Sequence, residues 1–271
     1  MKESIIDSLK EENMEDAAFI FSKNNETMAS SVPDKVVDIG ELKDIVATLP
    51  AILKLVERRR KKLALNHPVS QYIPDFHKDG KEAIQIVNLL THTSGLPNVA
   101  FHSWDALKDV SLDFKPGSNV SYSPLNFRLL LPIFEQASKQ DFETFLETFI
   151  FDALRMENTQ IEWLENGDFK LMSSLNDLSQ FAKMIQDNGT YDFMRVIRYK
   201  AIDLSKQNFT SFLNHHRGLG WEFRGDLYGF TSQTGSMMWF NPKKKAFIIL
   251  LTDSEKVKPI EKRLLEFLKS E

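Results

Sequence analysis

The sequence predicts an α+β protein: an antiparallel β-sheet built from both chain ends and flanked by helices, with an inserted all-helical region. Three observations lead there. Apolar runs of strand length, bounded by turn residues, occur near both termini. The middle of the chain carries its apolar residues at helical spacing instead. The 271 residues, 42% of them hydrophobic, suffice for one large core or two closely joined ones. The predicted partition is residues 1–40 with 215–271 as the sheet unit, residues 41–214 as the helical unit, and a groove between them as the site.

Taken in order, residues 3–12 place Ile5, Ile6 and Leu9 on one side of a short amphipathic helix. Residues 17–21 read as a strand, Asn24-Asn25 as a turn, and residues 26–30 as a second strand. A long helix with one apolar face covers residues 41–60. Further helices are predicted at 125–139, 141–154 and 175–186, the last capped by Ser173 or Ser174 and followed by Gly189. Strand periodicity returns at 218–223, 227–232, 236–240 and 246–252, with Lys243-Lys244-Lys245 in the final turn. Residues 259–269 form a closing helix. There is no internal repeat and no low-complexity tract.

Composition narrows the function classes. A net charge of −4 implies no global affinity for nucleic acid. The absence of cysteine excludes disulfides, thiol nucleophiles and thiolate metal sites. The first dozen residues are interspersed with acids and lack the apolar stretch of a signal peptide, and no apolar run is long enough to span a membrane. The expectation is a soluble, cytoplasmic protein with no cofactor and no metal, whose partner is a small molecule or a protein held in the groove.

Three segments carry more specific information: Val37-Asp38-Ile39-Gly40-Glu41-Leu42-Lys43-Asp44 leading into the long helix, Asn66-His67-Pro68-Val69-Ser70-Gln71-Tyr72-Ile73-Pro74, and Leu89-Leu90-Thr91-His92-Thr93-Ser94-Gly95-Leu96-Pro97. Together they resemble the serine β-lactamase and penicillin-binding-protein superfamily, in its branch of class C β-lactamases, D,D-peptidases and related esterases. Residues 149–159, 174–181 and the final strand ending Leu250-Leu251-Thr252-Asp253 extend the resemblance over most of the chain. The resemblance implies a nucleophilic serine and its lysine base at the start of the long helix, spaced Ser-x-x-Lys. Glu41 and Asp44 stand there instead. No serine anywhere in the chain has a lysine three residues later, so a shifted alignment does not restore the pair.

The two further motifs that the family implies are also altered. Tyr122 matches the family's proton-shuttling tyrosine, but its asparagine partner is Pro124, which has no side-chain donor. The expected Lys-Thr-Gly or His-Thr-Gly of the site-lining strand falls, by counting back from Trp239-Phe240-Asn241-Pro242, on Phe230-Thr231-Ser232. Gln233-Thr234-Gly235 imitates that motif three residues later and reads as the following turn. Replacing Ser by Glu and Lys by Asp shifts the local charge by three units towards negative, which predicts poor binding of the family's carboxylate-bearing ligands.

Glu41 and Asp44 have a structural reading, as acids favoured at a helix N-terminus, and a functional one, as a repurposed site for a cation or an amine. Tyr122 has the structural reading of a buried tyrosine. Of the other candidates, Glu57-Arg58-Arg59-Arg60-Lys61-Lys62 reads as a solvated helix end. His215-His216 points to opposite faces of a strand, unsuited to one metal. His92 reads as a packing residue of a turn, and no Gly-x-Ser-x-Gly elbow occurs. The leading expectation is a β-lactamase-like protein lacking the nucleophile and retained for binding or interaction. The alternative is a serine hydrolase, an esterase or D,D-peptidase-like enzyme, with Ser123 or Ser232 as an unorthodox nucleophile.

Overall fold

The computed structural model of the chain describes residues 2–11, 17–31, 35–57, 63–252 and 257–270. Helix α1 (Lys2–Glu11) precedes strands β1 (Ala18–Lys23), β2 (Glu26–Ser30) and β3 (Val37–Asp38). A π-helical turn (Asp44–Thr48) runs directly into α2 (Leu49–Val56). Short helices α3 (Ile86–Leu90) and α4 (Trp104–Lys108) lead to α5 (Leu125–Ser138). Then α6 (Phe142–Leu146), a second π turn (Glu147–Phe151) and α7 (Asp152–Leu154) follow without interruption. Next come β4 (Gln160–Trp163), β5 (Phe169–Ser173), α8 (Leu175–Gln186), β6 (Thr190–Tyr191), β7 (Met194–Arg195) and α9 (Tyr199–Ser205). The chain ends with β8 (Glu222–Arg224), β9 (Leu227–Thr231), β10 (Met237–Asn241), β11 (Ala246–Leu251) and α10 (Val257–Ser270).

The main sheet has six strands in the order β2-β1-β11-β10-β9-β8. Every pairing in it is antiparallel, and the first and last thirds of the chain meet where Ile20 faces Ile249. Its period-2 alternation sorts residues between two cores. Phe19, Phe21, Met237, Trp239, Ile248 and Leu250 join Ile5, Leu9, Ile260, Leu264 and Leu268 of α1 and α10 on one face. Ile20, Met238, Phe240, Phe247 and Ile249 face the larger, mainly helical core. Burial on both faces explains why β10 and β11 read as continuous apolar runs rather than alternating ones.

The inserted region is not all-helical. Strands β4 and β5 and the β6–β7 hairpin lie within it, and β3, from just before it, completes a three-stranded sheet in the order β3-β5-β4. The strands β4 and β5 flank Asn166-Gly167, with Gly167 at φ 82°. Their short apolar runs lie between helices whose longer periodicity masks them. The basic run from Arg58 to Lys62 and Asp253 lie outside the described residues.

Candidate functional site

The site forms where the chain enters its most buried helix. Asp38 accepts a hydrogen bond from the Gly40 backbone N–H at 3.0 Å, and Gly40 takes φ 58° to start the turn. The Asp44 N–H donates to the Glu41 carbonyl at 3.0 Å. Helical winding then loosens to π over Asp44–Thr48, where the Leu49 N–H bonds to the Asp44 carbonyl. Pro50 is the reason: it has no N–H for Val46, and its ring would clash with the Val46 carbonyl in a tight α-helix.

A cavity of about 580 Å³ opens beside this turn. Glu41, Lys43 and Arg128 line it together with Pro124, Asp168 and Gln233. Most of its wall comes from the inserted region, with Gln233 contributed by the turn after β9.

The most organised part of the wall is an ion network that sequence analysis missed. Arg128 spans two acids: Nε lies 3.0 Å from Asp168 Oδ2, and Nη2 lies 3.4 Å from Asp44 Oδ1. Lys43 Nζ reaches Asp168 Oδ1 at 3.0 Å and also donates to the Phe169 carbonyl. The Phe169 ring lies 4.8 Å from the Lys43 ammonium, in cation–π range. Asp44 is 1% exposed, and burial pushes its carboxyl up to about 6 against the pull of Arg128 and Lys43. Burial, then the Arg128 charge, lower Lys43 below the ordinary lysine range. Two sequence signals pointed here. Arg128 is the lone charge in an apolar helical run, four residues after Pro124 and so on the same face. Asp168 follows the Asn166-Gly167 turn that makes a hairpin of residues 160–173.

This network corrects the charge balance inferred from the motifs. Asp44 does not stand as an extra uncompensated acid, because Arg128 folds over it from α5. With Lys43 and Arg128 included, three carboxylates (Glu41, Asp44, Asp168) meet two cations, so the motif substitutions alone overstate the negative charge.

The other candidate residues separate. Pro124 lines the cavity, whereas Phe230 is buried in the helical-side core. Thr231 turns to the opposite face of the sheet, where Trp239 Nε1 donates to its hydroxyl at 2.8 Å and the hydroxyl donates to Glu261. Counting back by spacing therefore placed Phe230-Thr231-Ser232 too early to reach the cavity. The strand runs on through a turn closed by the Ser232 N–H to the Ser236 carbonyl, and this brings Gln233 to the wall and Thr234 against Gly40. Tyr122 packs its ring 4.9 Å from His92. Its hydroxyl is buried without a partner among the described residues, and burial followed by the Asp44 and Glu41 charges raises it further above the ordinary phenol range.

The Thr91–Gly95 landmark is a brace. His92 Nδ1 accepts from the Ser123 N–H at 3.3 Å and from Asn126 Nδ2 at 3.0 Å, while Ser94 Oγ donates to Asn126 Oδ1 at 2.6 Å. Gly95, at φ 85°, is indispensable, since a Cβ would lie 2.1 Å from the Phe114 carbonyl oxygen. These bonds fix the loop that carries Tyr122 and Pro124. Burial holds His92 well below the ordinary imidazole range, so it stays neutral. The two alternative serines are already engaged: Ser123 Oγ donates to the Pro97 carbonyl at 2.8 Å, and Ser232 Oγ lies 3.0 Å from Thr234 Oγ1.

Comparison with known proteins bears on the fold and the family. A Salmonella agona (strain SL483) protein named "Putative D-alanyl-D-alanine carboxypeptidase" is 29% identical over 153 residues, covering 48% of this chain and 35% of that protein. The chain thus spans about a third of the length of the curated relatives it matches. A crystal structure of a "putative beta-lactamase" from Bacteroides dorei DSM 17855 superposes with a TM-score of 0.80 at 18% identity, covering 99% of this chain and 98% of that one. The octameric penicillin-binding protein homologue from Pyrococcus abyssi gives 0.77 at 19% identity, over 99% and 76%. These two likenesses establish the fold. No helix among the described residues is long and apolar enough to cross a membrane. The sequence profile named Beta-lactamase matches residues 46–269, and the chain belongs to that family.

Proposed function

We propose that this chain is a Beta-lactamase family member without acyl-transfer chemistry, whose cavity is kept for binding a small molecule or a segment of another protein. One observation carries the reading: at the family's nucleophile and base positions stand Glu41 and Asp44, the latter paired to Arg128 at 3.4 Å. Acyl transfer needs a hydroxyl whose proton passes to an adjacent base. Glu41 would give only a labile anhydride, and Asp44 supplies no cationic partner. The hydroxyls of Ser123 and Ser232 are bonded to Pro97 and Thr234, which counts against the alternative of a serine hydrolase. A carboxypeptidase activity like that named for the Salmonella relative is therefore not proposed.

The test is incubation with a fluorescent penicillin and with p-nitrophenyl acetate, read by intact mass and by absorbance. The expected result is no covalent adduct and no ester turnover above buffer. A stable acyl adduct, or turnover abolished by Ser123→Ala or Ser232→Ala, would overturn the reading.

A further inference from the structure

We propose that the cavity beside the π turn binds an organic ammonium ion, a primary amine on a compact apolar body, with Glu41 as its counter-charge. The inference rests on the non-catalytic reading above and names the ligand class of that same site.

The charges at and behind the cavity wall are shared unequally. Asp168 is taken by Lys43 and Arg128, both at 3.0 Å. Asp44 is taken by the other arm of Arg128, and Asp38 faces Lys170 at 3.8 Å. Glu41 remains. Its carboxylate lines the cavity, and its Oε2 has no hydrogen-bond partner among the described residues. A carboxylate with no donor is costly, and a charged donor satisfies it best. An ammonium group, with three donors and no acceptor, matches such a carboxylate.

A metal ion fits less well. Hard divalent cations require several oxygen ligands, and Asp44 and Asp168 are already bound by Arg128 and Lys43. Among the described residues, no three His, Asp or Glu side chains gather as a ligand set. The remaining wall favours an organic body: Val99, Phe101, Leu164 and Phe169 face the same cavity, whose volume of about 580 Å³ suits a small molecule.

Three probes of one shape decide the class: benzylamine, benzyl alcohol and phenylacetate, titrated by calorimetry into the unaltered chain at neutral pH. Benzylamine should bind saturably at one site, at least tenfold more tightly than the other two. Glu41→Gln should lose that preference while unfolding at the same temperature or higher, because it removes an unpaired carboxylate. Phenylacetate binding as tightly as benzylamine, no saturable amine binding at millimolar concentration, or a folded Glu41→Gln that keeps the preference would each overturn the inference. The three-probe comparison stands on the unaltered chain if the variant does not fold. Exposing the same preparation to benzylpenicillin separates the two ideas. An adduct by intact mass overturns the non-catalytic reading, whereas lost amine preference without an adduct overturns only the ligand class.

Discussion

Replacing Asp44 by Asn should stabilise the protein, and by an amount set by pH. In the folded chain the Asp44 carboxyl is pushed up to about 6 from an ordinary value of 3.8, because burial outweighs the pull of Arg128 and Lys43. The folded state therefore holds the proton more tightly than the unfolded state. Between these two values the folded chain binds more protons, so stability falls as pH rises through that window. The penalty is absent below about pH 4 and complete above about pH 6. A shift of about two units corresponds to roughly 3 kcal/mol. Asparagine imitates the protonated carboxyl. The gap between Asp44→Asn and the unaltered chain should thus be near zero at pH 4 and grow to roughly 3 kcal/mol in favour of the variant at pH 8. Urea unfolding followed by the fluorescence of the fully buried Trp221 and Trp239 measures it. Comparing two variants at each pH cancels the titration of every other carboxylate. A variant less stable than the unaltered chain at pH 8, or a gap that does not change with pH, would refute the reasoning.

Two further perturbations test the same network. Arg128→Met removes the partner of Asp44 and one partner of Asp168, and should cost about 3–5 kcal/mol at pH 8, less near pH 5 where Asp44 takes up its proton. Adding Asp44→Asn to it should recover part of that loss, which a double-mutant cycle in urea would read. Restoring the family pair as Glu41→Ser with Asp44→Lys should not restore acylation by penicillin. The new ammonium would face the Arg128 guanidinium where a carboxylate now lies 3.4 Å away. Such a like-charge contact costs roughly 4 kcal/mol at an effective dielectric near 20. Adding Arg128→Gln should restore stability but not acylation, since Pro124 still lacks the amide; covalent labelling of either variant would refute this.

How much of this was legible beforehand follows from the range of each interaction. Helix 175–186, with Ser174 accepting from the Asp177 N–H and Gly189 at φ 92° beyond its end, is specified by neighbouring residues, so its bounds were readable and its cap was narrowed to Ser173 or Ser174. The strands 227–231, 237–241 and 246–251 were readable for the same reason, their flanking turns being local. The three-stranded sheet was not, because β3 is two residues long and finds β5 across more than 130 positions. The third motif shows the limit of counting. Spacing is preserved only if the turn after the strand keeps its length, and the Ser232–Ser236 turn moved the cavity-lining position to Gln233.

The sequence alone determined the family resemblance and the absence of a Ser-x-x-Lys pair, since both are statements about residue identity along the chain. It also determined that the sheet draws on both termini, because strand periodicity appears only there and in short segments hidden among helices. Only the tertiary structure decided what the two acids do. Lys43, Asp44, Arg128 and Asp168 lie on three separate segments, and no local pattern encodes that Arg128 would neutralise Asp44 while one Glu41 oxygen finds no partner among the described residues. Charge pairing depends on distances of a few ångströms between residues far apart in sequence, and packing alone sets those distances.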